Sequence, residues 1–243
     1  MPHIGNDIVD LTDPANSRKS ENARFIERVF TPGERDLIFS SPDPDHALWS
    51  VWACKEAAFK AVSKAPGNSD GTLSSSPLKY RVSLELPFTD NTAAAVKNRT
   101  LIFRGSVSTP AGILPLRVVR NSSYAHAVAS TGEDDTVGSV SWVVCNVNLR
   151  RNEITPHVQS MLVRRAAKMK LAGYIKANPQ DLEIVRRKRN GSGLGPPVLL
   201  VRGRESGIDI SLSHDGLFLA YAFLLDRDQH CGPVKEFITH TLQ

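Results

Sequence analysis

Three short stretches of the sequence hold residue types and spacings that suit chemistry. The first is Ile4-Gly5-Asn6-Asp7-Ile8-Val9-Asp10. Asp7 is a carboxylate set into an apolar run, and a buried charge is costly unless it is paired or metal-bound. The second is Trp52-Ala53-Cys54-Lys55-Glu56-Ala57-Ala58-Phe59-Lys60. On a helix Glu56 and Lys60 share one face, with Trp52 a turn earlier. Lys55 and Lys60 bracket Glu56, which suits a metal–phosphate site, and Ala57 and Ala58 allow a ligand or a backbone to come close. The third is Ser211-Leu212-Ser213-His214-Asp215-Gly216, where a strand runs into a tight turn. Each stretch also has an ordinary reading: a turn-capping acid, a surface Glu–Lys pair, a turn histidine. A serine nucleophile is poorly supported, because the Gly-x-Ser-x-Gly elbow is absent.

The elements needed to position these residues follow from periodicity. Ile4, Ile8 and Val9 favour a buried strand over His3–Leu11. A helix is expected over residues 19–29. Thr31-Pro32-Gly33-Glu34 has the form of a capping box and starts a short helix that ends near Phe39. Leu48, Val51, Trp52, Phe59 and Val62 recur at helical spacing, so a helix should cover residues 46–63. Strands are expected at 80–86, 100–103, 114–119 and 126–130, then a polar loop at 131–138. A buried strand at Ser141–Val147 leads to a second long helix over 156–177. Residues 190–193 read as a turn. Strands are expected at 198–201, 208–213 and 217–225, and the polar tail as a short helix or disordered. The fold class is α+β. Strand, long helix and several strands occur twice, which divides the chain into residues 1–138 and 139–243. Strand runs look alike in any α+β protein, so the pattern alone leaves a true duplication open.

The chain has 243 residues, 41% hydrophobic and 23% charged, as in an ordinary soluble protein of two halves. No apolar run is long enough to span a membrane, and the N-terminus lacks a signal-like pattern. Three separated cysteines, Cys54, Cys145 and Cys231, read as reduced thiols, which fits a cytoplasmic protein. The net charge of +5 is concentrated: from Arg150 to Arg204 there are 13 basic residues against three acids, Glu153, Asp181 and Glu183. Such a region attracts phosphorylated cofactors, acidic proteins or nucleic acid.

Taken together, Gly5-Asn6-Asp7, the Trp52–Lys60 helix and Ser211-Leu212-Ser213-His214 resemble the motifs of the 4'-phosphopantetheinyl transferase superfamily. Phe30-Thr31-Pro32-Gly33-Glu34 is similar to the family as well, whereas residues 64–140 contribute little. The length is that of the family's pseudodimers, and the motif order is that of its small holo-acyl-carrier-protein synthases. The resemblance implies a pseudo-two-fold duplicated fold, each half a small antiparallel sheet packed on a long helix. In this alignment of halves Asn146 stands opposite Asp7, Arg164 opposite Lys55 and Arg165 opposite Glu56. Val119-Arg120-Asn121 then matches Ser213-His214-Asp215. Two departures concern ligands. Val9 stands where larger members carry an acid, with Asp10 one residue later, and Gly193-Leu194-Gly195-Pro196-Pro197 matches the loop before Ser-His only loosely.

The activity implied is transfer of 4'-phosphopantetheine from coenzyme A to a carrier-protein serine, with release of 3',5'-ADP. Asp7 and Glu56 would hold Mg²⁺. Glu56, directly or through water, would take the serine proton, and Lys60 and Lys55 would steady the phosphates. Ser213 and His214 would contact coenzyme A from the second half. Arg186, Arg187, Lys188 and Arg189 are candidates for its 3'-phosphate. The partner would be an acidic apo carrier protein, with Phe25, Val29 and Phe30 as a docking strip or as core. The active unit would be a monomer, without nucleic acid or membrane. The alternatives are an inactive coenzyme A- or carrier-binding protein and a basic nucleic-acid-binding module. The latter lacks a recognisable motif and interleaved aromatics.

Overall fold

The protein is described from a computed structural model, which covers residues 1–65, 73–85, 100–188 and 194–225 and the backbone of residues 239–242. Strand β1 (Ile4–Asp10) is followed by α1 (Ala23–Val29), α2 (Pro32–Phe39) and the long α3 (Pro44–Val62). Next come β2 (Arg81–Glu85), β3 (Leu101–Thr109), β4 (Gly112–Arg120) and β5 (Tyr124–Ser130). These strands form an antiparallel five-stranded sheet in the order β1-β5-β4-β3-β2. The short α4 (Asp134–Ser139) leads to β6 (Ser141–Val147) and the long α5 (Pro156–Ile175).

Strands β7 (Leu182–Lys188), β8 (Leu194–Val201) and β9 (Arg204–Glu205) make a three-stranded sheet. The hairpin β10 (Asp209–Asp215) and β11 (Phe218–Leu224) adds to β6, with β12 (Thr239–Leu242) on its far edge. This is the expected mixture of helices and antiparallel sheets. Three local features differ from or add to the expectations. The loop expected at 131–138 contains α4. The basic stretch at Arg186 closes a strand, β7, in which Leu182 and Ile184 are buried on alternate positions. The tail ends in a strand, not a helix, and pairs in parallel with β6. The expected 190–193 turn lies outside the described residues.

The α3 face against the sheet is made small by its sequence. Ala53, Ala57, Ala58 and Ala61 are fully buried. Gly5 on β1 meets them: a Cβ there would sit 1.9 Å from the Ala57 carbonyl oxygen and 2.6 Å from the Ala61 nitrogen. No side chain fits between these two backbones, so strand and helix touch directly. The residues two positions on from Gly5 and around Glu56 are thereby drawn together.

The two larger sheets are joined through side chains. The free edge of β1 donates backbone hydrogens from Ile4 to Asp209 Oδ2 (2.6 Å), from Asn6 to Ser211 Oγ (2.9 Å) and from Asp10 to Asp215 Oδ2 (2.8 Å). These are alternate residues of β10, one face of a strand. Asn6 Nδ2 reaches the fourth member, Ser213 Oγ, at 2.9 Å. Lys64, just past α3, donates to the Ile4 and Ile210 carbonyls, both at 2.6 Å, and to Asp209. Apolar clusters cross the same junction. Ile4 and Val128 pack with Ala222 and Leu224, and Ile8 and Tyr124 pack with Val144 and Phe218.

Replacing Gly5 by alanine should destabilise the protein by about 3 kcal/mol, the upper end of overpacking costs. Gly33→Ala is the control, because a Cβ there meets nothing within 4 Å. Urea denaturation should show a large loss for Gly5→Ala and none for Gly33→Ala.

Candidate active site

Strand β1 carries Asp7 two residues after the Gly5 contact, and α3 carries Glu56 and Lys60 beside Ala57. After its first turn, α3 is buried except at Trp52, Glu56, Phe59 and Lys60, which are half-buried, and Trp52, Glu56 and Lys60 follow one another at four-residue spacing. Lys60 Nζ donates to Asp7 Oδ1 at 2.7 Å and to the Asn6 carbonyl at 3.0 Å. Burial raises the Asp7 carboxyl above its ordinary range although Lys60 pulls it back. Glu56 is raised as well, first by burial and then by the negative charge of Asp7. Two carboxylates thus stand within each other's influence, and the charge of Lys60 acts on both.

Asp7, Lys60, Ser63 and Lys64 line a cleft of about 260 Å³ on the side of β1 and α3. Ser211, Leu212, Ser213 and His214 of β10 form the opposite wall, and Ser160, Val163 and Arg164 of α5 close it on a third side. Arg186, Pro196 and Pro197 complete the lining. His214 is half-buried at the end of β10. Burial lowers its pKa, and the nearby charges of Lys60 and Arg164 add to that. The imidazole is therefore neutral at neutral pH and ready to donate to an anion.

Gly216 follows in the turn with φ +49°, and a Cβ there would lie 2.1 Å from Asp10 Oδ2. Asp10 is fully buried and spent on this junction. It accepts from the Thr12 nitrogen and hydroxyl, the Leu217 nitrogen and Arg151 Nη1. Burial opposes its ionisation, but these hydrogen bonds prevail and hold its pKa below the usual value. Its oxygens already bind protein groups, so Asp10 supplies no further metal ligand.

Several expected site residues lie elsewhere. Lys55 is buried and turned into the first half. Its ammonium donates to Glu34 Oε2 at 2.8 Å, to the Pro77 carbonyl at 3.0 Å and to the Tyr80 carbonyl. Three acceptors hold this charge in place, and it does not reach phosphates in the cleft. Glu34 also accepts from the Thr31 and Val82 nitrogens, both at 2.8 Å. Arg186 lines the cleft and donates Nε–H to the Gly195 carbonyl at 2.6 Å. Arg187 and Lys188 are exposed and outside the cleft lining, and Arg187 pairs with Glu205 across the small sheet. Arg189 lies outside the described residues. Val29 and Phe30 are core, and Phe25 stacks on Phe30, Trp49 and Trp52, so this strip supports α3. Ser160, Arg164 and Lys64 were not expected in the cleft. The excess of basic residues on α5 was the only hint of them.

The donor set fits a hard divalent cation. Among the described residues no group of three or more His, Cys, Asp or Glu is arranged for a metal. Two carboxylates with raised pKa values remain: Asp7, which lines the cleft with Lys60, Lys64, Arg164 and Arg186, and Glu56, which feels the charge of Asp7 but is not among the lining residues. Mg²⁺ is held by one or two protein carboxylates, with water and substrate phosphates completing its shell.

Residues 3–105 match the family model described as the 4'-phosphopantetheinyl transferase superfamily. The matched region contains Gly5, Asp7, Glu56 and Lys60 and stops before β4. The chain is 37% identical over 67 residues to a holo-[acyl-carrier-protein] synthase of Leptospira biflexa, which is 28% of this chain and 53% of the relative. It is 35% identical over 66 residues to a holo-[acyl-carrier-protein] synthase of Chlamydia muridarum, covering 27% and 53% respectively. A 41-residue stretch is 51% identical to the fatty acid synthase alpha subunit pigJ of Monascus ruber, which is 17% of this chain and 2% of that protein. The chain thus spans about half the length of the holo-synthases it matches. No helix among the described residues is long and apolar enough to cross a membrane.

The raised Glu56 pKa carries a stability consequence for the metal-free protein. A carboxyl raised on folding disfavours the folded state once it ionises. The penalty is absent below the ordinary Glu range, about pH 4, and complete above the raised folded value. In EDTA, Glu56→Gln should therefore melt higher than wild type at neutral pH and together with it at acid pH. A Glu56→Gln protein less stable at neutral pH would contradict this.

Proposed function

We propose that the chain transfers 4'-phosphopantetheine from coenzyme A to a serine of an apo carrier protein. The observation that carries this reading is the cleft itself. An Asp7–Lys60 pair faces Ser213 and His214 across it, and Glu56, one turn of α3 before Lys60, lies within the electrostatic reach of Asp7. The match of residues 3–105 to the superfamily model and the partial identity to holo-synthases support the same reading.

Asp7 and Glu56 would hold Mg²⁺. When bound, the metal neutralises the coenzyme A pyrophosphate and fixes its geometry. Glu56, its affinity for protons raised by burial, accepts the proton of the carrier serine. The serine oxygen forms a bond to the β-phosphorus, and the bond from that phosphorus to the bridging oxygen breaks. The electron pair leaves on 3',5'-ADP. Lys60 moves from Asp7 to the phosphates as their charge shifts toward the leaving group. His214 donates to a coenzyme A phosphate, Ser213 is held by Asn6 to fix that strand end, and Arg186 and Arg164 supply positive charge.

The reading includes a pseudo-two-fold chain with a single site, which makes a monomer competent. The two hairpins support the equivalence. Arg120 pairs with Ala125 next to one turn, and His214 pairs with Leu219 next to the other. Ala125 pairs with Val9 and Leu219 with Cys145, which sets Val143 opposite Asp7. Asn146 then matches Asp10, three residues from the expected place. Either way the second half lacks a carboxylate where the first has Asp7. The same register matches Arg120 with His214.

Incubation with coenzyme A, Mg²⁺ and an acidic apo carrier protein should add phosphopantetheine to the carrier, read by mass spectrometry. Excess EDTA should stop the reaction and Mg²⁺ restore it. His214→Ala should raise the coenzyme A KM more than it lowers kcat. Full transfer in EDTA would refute the metal assignment, and loss of kcat at unchanged KM would move His214 into the proton-transfer chemistry.

A further inference from the structure

A buried polar network adjoins the cleft. Asn6 on β1 and His126 on β5 are both fully buried. The Asn6 carbonyl accepts from Lys60 Nζ at 3.0 Å, and Asn6 Nδ2 donates to Ser213 Oγ at 2.9 Å. Lys60 and Ser213 both line the cleft. One residue thus ties a cation of α3 to the strand end that carries His214. The second amide hydrogen of Asn6 is left for His126 Nε2, 3.2 Å away. Nε2 must then accept, so the ring proton sits on Nδ1. Burial, with the charge of Lys60 second, pushes the His126 pKa down to about 3 and keeps the ring neutral for this role. Trp142 of β6 packs on the imidazole, with ring centroids 5.0 Å apart.

Stability does not explain this network. Asn6 Oδ1 and His126 Nδ1 are buried with no hydrogen-bond partner among the described residues. Buried polar atoms left unpaired cost stability, a cost that apolar side chains would avoid. The junction of β1 with β10 is already held by Asp209, Ser211 and Asp215 and by apolar packing. What the amide adds is direction: two hydrogens at a fixed angle, and two partners that fix its plane. We infer that His126 is a positioning residue for coenzyme A: it orients the Asn6 amide, which sets Ser213 and His214 in register with Lys60. The inference rests on the transferase reading given above and adds to it a residue outside the cleft lining.

The test compares steady-state transfer by wild type, His126→Leu, His126→Gln and Asn6→Ala. Leucine fills the space without an acceptor, whereas the glutamine amide places an acceptor near the position of Nε2. His126→Leu and Asn6→Ala should each raise the coenzyme A KM roughly ten-fold, the worth of one buried hydrogen bond. Their kcat and carrier KM should stay within about three-fold of wild type. His126→Gln should bring the coenzyme A KM back to within about three-fold. His126→Leu/Asn6→Ala should be no worse than Asn6→Ala, because both act through one amide. Urea denaturation should find His126→Leu at least as stable as wild type. Unchanged coenzyme A KM in His126→Leu, equal losses in the leucine and glutamine variants, or additive losses in the double variant would overturn the positioning role. A His126→Leu protein that is destabilised or does not fold would mark a merely structural histidine and overturn it as well. Each of these outcomes leaves the transferase reading standing. Absence of transfer by the wild-type protein would overturn both.

Discussion

The contact of Gly5 with the Ala57 carbonyl decides where everything else in the cleft can stand. Strand and helix normally keep a layer of side chains between them. Here the backbones themselves touch, because Gly5 has no Cβ and α3 presents alanines. That approach holds a polar side chain of β1, Asp7, against polar side chains of α3, Glu56 and Lys60. A wider spacing would interpose side chains and water, and the two carboxylates would lose their influence on each other. Their raised pKa values are the electrostatic trace of this closeness: the folded protein holds two acids where one cation offsets them only partly.

The second constraint is the junction of β1 with β10. Strand β1 has a free edge, and free edges invite non-specific pairing. Side chains of Asp209, Ser211 and Asp215 take up its backbone hydrogens instead, and Ser213 takes up the Asn6 amide. The spacing of these four residues leaves His214 fixed at the strand end, in the cleft that Asp7 and Lys60 also line. Such a junction depends on direction and register, where an apolar one would tolerate slippage. Buried polar groups gain most from being fully paired. Arg151, from the connection between β6 and α5, completes the pairing by closing on Asp10.

Much of this was readable from the sequence where the signal is local. The apolar run around Asp7, the four-residue spacing of Glu56 and Lys60, and the capping box at Thr31 are each contained in one element. What was not readable depends on which elements meet. Lys55 is next to Glu56 in sequence but about 100° round the helix, and its true partner, Glu34, belongs to α2. Arg186 and Arg187 look alike in a basic run, yet a strand sends alternate residues to opposite faces and only Arg186 lines the cleft. Arg164 and Ser160 carry no motif at all. They reach the cleft because α5 packs beside β10, and no property of α5 alone announces it.

The central claim is that Asp7 and Glu56 form one divalent-metal site per chain, completed by coenzyme A. Electron paramagnetic resonance of Mn²⁺, used in place of Mg²⁺, measures this directly and without turnover. Titration in the presence of coenzyme A should remove one Mn²⁺ per chain from the free-ion signal. Asp7→Asn and Glu56→Gln should each abolish that binding while the protein stays folded. Undiminished Mn²⁺ binding in both variants, or two ions per chain in the wild type, would contradict the account.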